Sequence, residues 1–409
     1  MNAFYDSLMQ RLDAIKVVAG FSDKEMEVLL NFKRISQAEL DVDGQKYQSY
    51  RVLHGEALGP GKGGIRFHPD VNIDEVKSLA LVMSLKNSLA GLPYGGGKGG
   101  VVIDSKGMDV KHLEKVSRAY ASAFANVIGQ DKDIPAPDVY TNPQIMGWML
   151  DEYEKVVGHH EPGVITGKPI ALGGITQRTD ATAKGGLYMI QSLIQQLGLQ
   201  STGLKIAVQG FGNAGSFVAK MLYDAGHKVV AVTDSKGGVM DEGGLNVPTL
   251  ISKKNGGTSL ADVGMGKVID NKTILTLDVD ILILAALEDQ INSSNVNDVK
   301  AKVIVELANG PISADADKSL FARNIMVVPD VAANSGGVTV SYFEWAQNRT
   351  GNILDEDYLE KKLKIMMDDT WRRMYAVFEE YDKKLDLRTC AYLLAIRRIL
   401  DAEKVRGNL

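Results

Sequence analysis

Only one cysteine, Cys390, occurs in 409 residues, so an intramolecular disulfide and a cysteine-based metal cluster are both excluded. Histidine is scarce as well. The six are scattered, none falls in the HExxH spacing, and the adjacent His159-His160 pair has poor geometry for a single site, so no metal is expected. The chain has no basic excess; its formal net charge of −5 argues against a nucleic-acid partner. No uninterrupted apolar run approaches the roughly 20 residues of a membrane span. The first residues include Asp6 and lack a basic-then-apolar signal pattern. No internal repeat or low-complexity tract is present. Apolar content of 45% and charged content of 24% are ordinary for a globular chain, and 409 residues is long for one core and points to two domains. The expectation is a cytoplasmic enzyme or binding protein.

Glycine is what the chain has in abundance, and one run organises the rest: Gly91-Leu92-Pro93-Tyr94-Gly95-Gly96-Gly97-Lys98-Gly99-Gly100. So many glycines lose much conformational entropy on folding. A loop retains them where its backbone must approach something else, here a ligand. Lys98 is then presented on a lining almost bare of side chains, which suits a lysine to acid, base or electrostatic work. The alternative is a glycine-rich turn into a strand over 101–104, with Lys98 on the surface. Gly59-Pro60-Gly61-Lys62-Gly63-Gly64-Ile65-Arg66 repeats the pattern. It reads as a hairpin loop with a solvated Lys62, or as a second ligand-facing lysine.

Residues 1–31 read as two amphipathic helices, the second started by Ser22 and Asp23. Residues 38–52 alternate like a hairpin turning at Asp43-Gly44. Asn72 or Asp74 caps a helix to about residue 90, with Leu79, Met83, Lys86 and Ala90 on one face. Lys86 on that stripe either snorkels to water or faces an anionic ligand. A helix follows over 109–128. Pro135, Pro137 and Pro143 stiffen the segment holding Asp138, which is either a turn aspartate or an acid/base held in place. Asn142-Pro143 starts the next helix. Glycine, proline and small residues over 163–174 mark a domain link, followed by a helix containing Thr182 and running to about 197.

The second half carries a stronger signal. A strand over 204–209 runs straight into Gly210-Phe211-Gly212-Asn213-Ala214-Gly215, then a helix, then a second strand ending at Asp234, 19 positions past the third glycine. That is the dinucleotide fingerprint in its required context. The glycines permit the tight turn, and the helix N-terminus receives the pyrophosphate. Asp234 can accept from an adenosine ribose and favours NAD, while Lys236 offers a cation and Ser235 a donor on a loop that Gly237-Gly238 leaves free. These opposed signals point to use of both NAD and NADP. Further strands fit 280–284, 303–305 and 325–328, with helices over 297–299 and 313–322. Past Asn334 the chain is helical, over 340–348, 355–381 and 387–404. The fold class is therefore α/β: an N-terminal α/β substrate domain over 1–170, a Rossmann domain over 171–335, and C-terminal helices over 336–409 packing back on the first domain.

The order of these parts resembles the glutamate dehydrogenases of the Glu/Leu/Phe/Val dehydrogenase family over nearly the whole chain. The motifs that carry the resemblance are the stretches around Lys62 and Lys98, Ser84-Leu85-Lys86-Asn87, Pro135-Ala136-Pro137-Asp138, Thr182-Ala183-Lys184-Gly185, Gly210–Gly215 and Ala333-Asn334-Ser335-Gly336-Gly337-Val338. The resemblance implies reversible oxidative deamination of L-glutamate to 2-oxoglutarate and ammonium, with hydride passing to a nicotinamide, in nitrogen and amino-acid metabolism. It implies that Lys98 polarises the 2-carbonyl and the attacking water, and that Asp138 shuttles protons at the nitrogen. Lys86 would bind the α-carboxylate, Lys62 and Ser341 the side-chain carboxylate. Thr182, Asn213 and Asn309 would contact the cofactor, and Asn334 the nicotinamide side of the cleft. A homohexamer is implied too. Met83 and Lys184 depart from residues that other members carry.

Two further readings are carried. A branched-chain or aromatic amino-acid dehydrogenase of the same family would line its side-chain pocket with apolar groups, against which Lys62 and Ser341 speak. A non-catalytic NAD(P)-binding protein would have no use for Lys98 and Asp138.

Overall fold

The computed structural model describes residues 3–409, except for the side chains at 3, 4, 6 and 7; the expected helix start at Met1 and the side chain of Asp6 lie outside the described residues. Two compact units emerge. One holds Met1–Arg178, Val338–Glu360 and Tyr392–Leu409, the other Thr179–Gly337 and Lys361–Ala391. The segment 336–409, expected as one C-terminal part, is thus shared between the units.

The first unit is built on strands β1 (Arg34–Val42), β2 (Gln45–Gly55), β3 (Gly61–His68), β4 (Gly96–Val102) and β5 (Asp133–Pro137), in the order β1-β2-β4-β3-β5. β1, β2 and β4 are antiparallel neighbours, whereas β4, β3 and β5 run parallel. Asp43 and Gly44, with φ of 53° and 81°, form the two-residue turn of the expected hairpin. The helices Val110–Phe124 and Pro143–Val157 build a core with Ile65, Phe67 and Val101 of the sheet, through Val116, Tyr120, Phe124, Ile145 and Met149. The helix Ile73–Leu89 packs Val76 and Ala80 against Val52. Caps fall where the sequence placed them: Ser22 in a capping box, Asn72 accepting from the Glu75 N–H, and Asn142 followed by Pro143.

Two expectations fail here. Both glycine-rich stretches were expected as loops, yet they are the buried strands β3 and β4. The glycines are needed because the sheet's neighbours come so close. A Cβ at Gly63 would overlap the Gly97 carbonyl oxygen, and one at Gly96 would overlap backbone atoms of Ala80 and Ser84. Lys62 is buried rather than solvated. The helix face with Leu79, Met83 and Lys86 is half-buried; the fully buried side carries Val76, Ala80 and Ser84.

The second unit is a seven-stranded sheet: β6 (Lys205–Gln209), β7 (Lys228–Asp234), β8 (Gly237–Met240), β9 (Lys267–Ile269), β10 (Ile281–Leu284), β11 (Val303–Glu306) and β12 (Met326–Val328). The order is β12-β11-β10-β6-β7-β8-β9, with β8 and β9 antiparallel at one side and the rest parallel. The chain leaves β6 towards β7 and later returns to β10 on the other side of β6. That reversal creates the crevice in which open α/β sheets bind ligands. The residues Gly237-Gly238 do not form a free loop. They open β8, where Gly237 pairs with Asp234 and a Cβ at Gly238 would overlap the Val232 carbonyl oxygen. The helix expected over 297–299 is a single 3₁₀ turn, Val296–Asp298. Among the described residues no helix is long and apolar enough to cross a membrane.

Candidate active site

Strand parity sets the chemistry of the first unit. On β4, Gly96, Lys98 and Gly100 share one face, and Gly97 and Gly99 the other. Gly96 meets the helix Ile73–Leu89, so Lys98 lies on the face that this helix covers, and Lys86 rides on the same helix. Behind β4, a Cβ at Gly97 would strike the Asp133 carboxylate. Asp133 is fully buried and paired to Arg51, whose Nε donates to it at 2.8 Å and whose Nη1 donates to the Gly63 carbonyl at 3.1 Å. A buried pair of this kind fixes geometry more than it adds stability. Here it ties β2, β3 and β5 together under the lysines.

Asp138 follows β5 directly and forms an ion pair with Lys98. Arg66 Nε lies 3.6 Å from the same carboxylate. The missing side chain of Gly64 makes room, since a Cβ there would stand 2.7 Å from the Asp138 Cβ. The backbone at Asp138 is pinned too: its N–H donates to Thr141 Oγ1 at 2.7 Å, and that hydroxyl donates to the Ile65 carbonyl at 2.9 Å. Burial pushes the Asp138 carboxyl up, but Lys98 and Arg66 outweigh it and hold the group below the usual carboxylate range. Asp138 is therefore a pinned, ionised carboxylate in contact with the buried Lys98.

Lys62, on β3, donates to the carbonyls of Ile134 and Pro135 at 3.3 and 3.5 Å. Burial, with Arg178 and Arg51 nearby, pulls its pKa well below the ordinary lysine value, and Glu344 and Asp133 oppose that pull. Ser341, on the helix Gly336–Thr350, accepts from Arg178 Nη1 at 2.7 Å. The structure thus adds a cation that sequence reasoning missed. Arg178 lies just beyond the stretch read as a domain link, with no motif to flag it. Asn87 was quoted only as part of a motif. It is buried and donates to the Gly95 carbonyl at 2.6 Å, fixing the entry to β4.

In the second unit β6 enters Gly210 with φ 92°, where a Cβ would crowd the Ala285 backbone. A Cβ at Gly215 would overlap the Gly210 carbonyl oxygen. Gly212, by contrast, faces open space. It precedes the helix Asn213–Asp224, whose first N–H groups receive no bond from a side chain at the cap position. A bare glycine turn at a sheet's reversal point, opening a helix that has no side-chain cap, fits the pyrophosphate of a dinucleotide. Phe211 is buried and Ala214 sits in the first helical turn.

At the end of β7 a second cation, Lys254, joins the expected Lys236. Lys236 reaches Asp234 through its backbone N–H, 2.9 Å from Oδ1, and its side chain is exposed in the two-residue turn with Ser235. The charge partner of Asp234 is Lys254, 2.9 Å from Oδ2, which also donates to the Phe211 carbonyl at 2.7 Å. Lys254 lies 20 positions downstream on another helix, beyond the reach of a local motif. Asn309 and Asn334 are brought together: the Asn334 amide donates to Asn309 Oδ1 at 2.9 Å. The base under this pair is Arg388, which donates to Glu306, Asp317 and Asp330 at 2.7, 2.8 and 3.0 Å, while Asp330 accepts from the Gly310 N–H. Thr182 lies on the helix Ala181–Gln196, its hydroxyl facing Gly337.

Known proteins match the chain along nearly its whole length. Residues 33–155 match the Glu/Leu/Phe/Val dehydrogenase dimerisation domain, and residues 173–407 match Glutamate/Leucine/Phenylalanine/Valine dehydrogenase. The NAD-specific glutamate dehydrogenase of Staphylococcus aureus (strain COL) is 42% identical over 393 residues, covering 95% of this chain and 94% of that protein. The catabolic NAD-specific glutamate dehydrogenase RocG of Bacillus subtilis (strain 168) is 44% identical over 361 residues, covering 88% and 84%. Among solved structures, glutamate dehydrogenase from Peptoniphilus asaccharolyticus superposes with a TM-score of 0.88 at 36% identity over the full length of both chains. The leucine-bound hetero-hexameric glutamate dehydrogenase of Thermus thermophilus gives a TM-score of 0.92 at 33% identity, covering 99% of this chain and 97% of that one.

Proposed function

Because this chain belongs to the Glu/Leu/Phe/Val dehydrogenase family, we propose that it catalyses the reversible oxidative deamination of L-glutamate to 2-oxoglutarate and ammonium with a nicotinamide cofactor. The observation that carries this reading is the pairing of buried Lys98 with the half-buried Asp138, beside a sheet that also holds the buried Lys62. Asp138, ionised and pinned, takes the proton from the substrate nitrogen and returns it in the reverse direction. Lys98 polarises the 2-carbonyl and the attacking water, and its charge is effective because the site is dry. Lys86 binds the α-carboxylate. Lys62 and Ser341, with Arg178 behind Ser341, bind the side-chain carboxylate. A bound nicotinamide would supply the hydride acceptor. Asn334 would lie on its side of the site, and Thr182, Asn213 and Asn309 would contact the cofactor.

Choice of substrate follows from desolvation. A leucine or phenylalanine side chain would leave the cation of Lys62 buried without an anion, a cost that glutamate avoids. NAD is the cofactor named for the relatives, and Asp234 favours it here. Use of NADP as well is the finer part of the proposal. Lys254 neutralises part of the Asp234 charge that would repel a 2′-phosphate. A homo-oligomer, a hexamer in its full form, is proposed from the dimerisation-domain match and the hexameric neighbour.

Nicotinamide absorbance assays with glutamate, leucine, valine and phenylalanine, each with NAD and NADP, test the reading. Turnover of glutamate well above the other three is expected, with kcat/KM for the two cofactors within about a hundredfold, the worth of one charge-assisted contact. Faster turnover of an apolar amino acid would overturn the substrate assignment.

A further inference from the structure

Three residues after Ser341, one turn along the same helix, stands Glu344, fully buried. It carries no role in the reaction as set out above. Its carboxylate accepts from the Gly167 N–H at 2.9 and 2.8 Å, from the Lys168 N–H at 3.3 Å and from Lys168 Nζ at 2.8 Å. Its second oxygen lies 4.0 Å from Arg178 Nη1, the nitrogen that donates to Ser341. Gly167 completes the arrangement. It has φ 79°, and a Cβ there would press on Pro137 and within 2.7 Å of the Arg178 guanidinium carbon. Arg178 is therefore packed against the backbone that Glu344 holds, beside the proline that precedes Asp138.

The charges are arranged unequally. Lys168, whose side chain is fully buried, is closely paired to Glu344 and also donates to the Ile165 carbonyl at 2.6 Å. Arg178 stands farther off, at 4.0 Å, so most of its charge is left for another anion. Two buried anions, Glu344 and Asp133, thus face four basic groups, Lys62, Lys168, Arg178 and Arg51, and the surplus is positive.

We infer that Glu344 is a positioning and specificity-determining residue: it holds the 165–168 turn and Arg178 against Ser341, and so orients the surplus cationic charge that selects a substrate bearing a side-chain carboxylate. This rests on the reading of Lys62 and Ser341 as the side-chain carboxylate site. A second effect has a definite sign. The groups facing Lys62 are Arg178, Arg51, Glu344 and Asp133. The two arginines push its proton off, and Glu344 and Asp133 hold it on. Removing the Glu344 charge lets the Lys62 ammonium lose its proton at lower pH, and an uncharged Lys62 attracts the substrate less.

The test is Glu344→Gln, which keeps the shape and an acceptor for the Gly167 N–H, assayed with L-glutamate and with L-norvaline. Norvaline has the same carbon count and no side-chain carboxylate. KM for glutamate should rise about tenfold with kcat reduced less than about threefold, and the glutamate-over-norvaline ratio of kcat/KM should shrink by a similar factor. The alkaline rise of KM for glutamate should begin at lower pH. Glu344→Asp, which keeps the charge, should recover most of the ratio, and it gives the reading if the glutamine variant does not fold. An unchanged ratio, or equal loss on both amino acids, would overturn the role of Glu344 while leaving the glutamate reading intact. A wild-type protein that turns over norvaline as well as glutamate would overturn that reading instead.

Discussion

Gly63 and Gly97 stand against each other on adjacent strands of the first unit, with no room for a methyl group, whereas Gly212 of the second unit looks into open space. Both regions are rich in glycine, but the residue does different work in each. In the first unit it lets strands and a helix close on one another, so that Lys62, Lys98 and Asp138 are delivered as side chains from a buried sheet. In the second, the central strand β10, Ile281–Leu284, is apolar throughout. There the glycines bare backbone N–H groups at a helix end as candidate ligand contacts, beside side chains such as Asp234 and Asn309. The difference teaches that a glycine run signals close approach without saying what approaches. At Gly63, Gly97, Gly210 and Gly215 it is the protein itself; Gly212 alone of these faces open space, where the proposed cofactor would lie.

The sharpest way to break the comparison is to remove the side chain that the first sheet delivers. Lys98→Ala is expected to lower kcat by about 10²–10³ or more, the worth of one electrostatic catalytic group. Binding of NAD, followed by fluorescence titration, should be retained. Retention of more than a tenth of the wild-type kcat would remove Lys98 from the reaction. Glycine itself comes next. Gly63→Ala should cost about 3 kcal/mol by overpacking, read as a lowered denaturant midpoint. Gly212→Ala should cost under about 1 kcal/mol and raise KM for the cofactor instead. Equal stability losses at the two positions would erase the distinction drawn here.

Acid should also separate the two regions. His54 of β2 is buried, with Nε2 2.8 Å from the Leu29 carbonyl and Nδ1 2.7 Å from Ser84 Oγ. The carbonyl can only accept, so Nε2 carries the proton and Nδ1 accepts from the serine. Burial lowers the His54 pKa to about 4, while the unfolded chain keeps 6.5. Between these values the unfolded state binds the proton and the folded state does not, so stability falls as pH drops from 6.5 towards 4, by at most roughly 3 kcal/mol. His54→Gln should flatten that part of the pH–stability curve, and a slope unchanged by the substitution would show that other groups set it. The smallest effect is expected at the nucleotide. Lys254→Ala leaves Asp234 without its cation and should weaken kcat/KM for NADP about tenfold, near 1.4 kcal/mol, with NAD little changed. Equal losses with both cofactors would make Lys254 a support of the Phe211 turn rather than a selector.

What could be read in the sequence was whatever depends on neighbours along the chain. The nucleotide turn at 210–215, the Asp43-Gly44 hairpin and the caps at Ser22 and Asn142 are all local, and each lies where its residue types placed it. The strands β3 and β4 could not be read, because glycine is depleted in strands by propensity. Only the approach of Ala80, Ser84 and Asp133 makes glycine necessary there. Arg178, Lys254 and Glu344 escaped for a related reason. Each gains meaning from a partner far along the chain, such as Ser341 for Arg178, 163 positions away.

The division of the chain also bears on how the protein is made. The second unit's sheet lies entirely within Thr179–Gly337, but the first unit waits for Val338–Glu360 and Tyr392–Leu409. Ser88 Oγ donates to the Ala395 carbonyl across 307 positions, and Arg398 closes on the Leu92 carbonyl across 306. Contacts of such sequence separation form slowly. During synthesis all five strands of the glycine-rich sheet are made first, yet their unit still lacks Ser341 and its last helix when the second sheet is complete, and the second unit itself waits for Lys361–Ala391. The unit whose sheet is made first is therefore the one completed last, at Tyr392–Leu409, a late closure of the kind that slows folding of large chains.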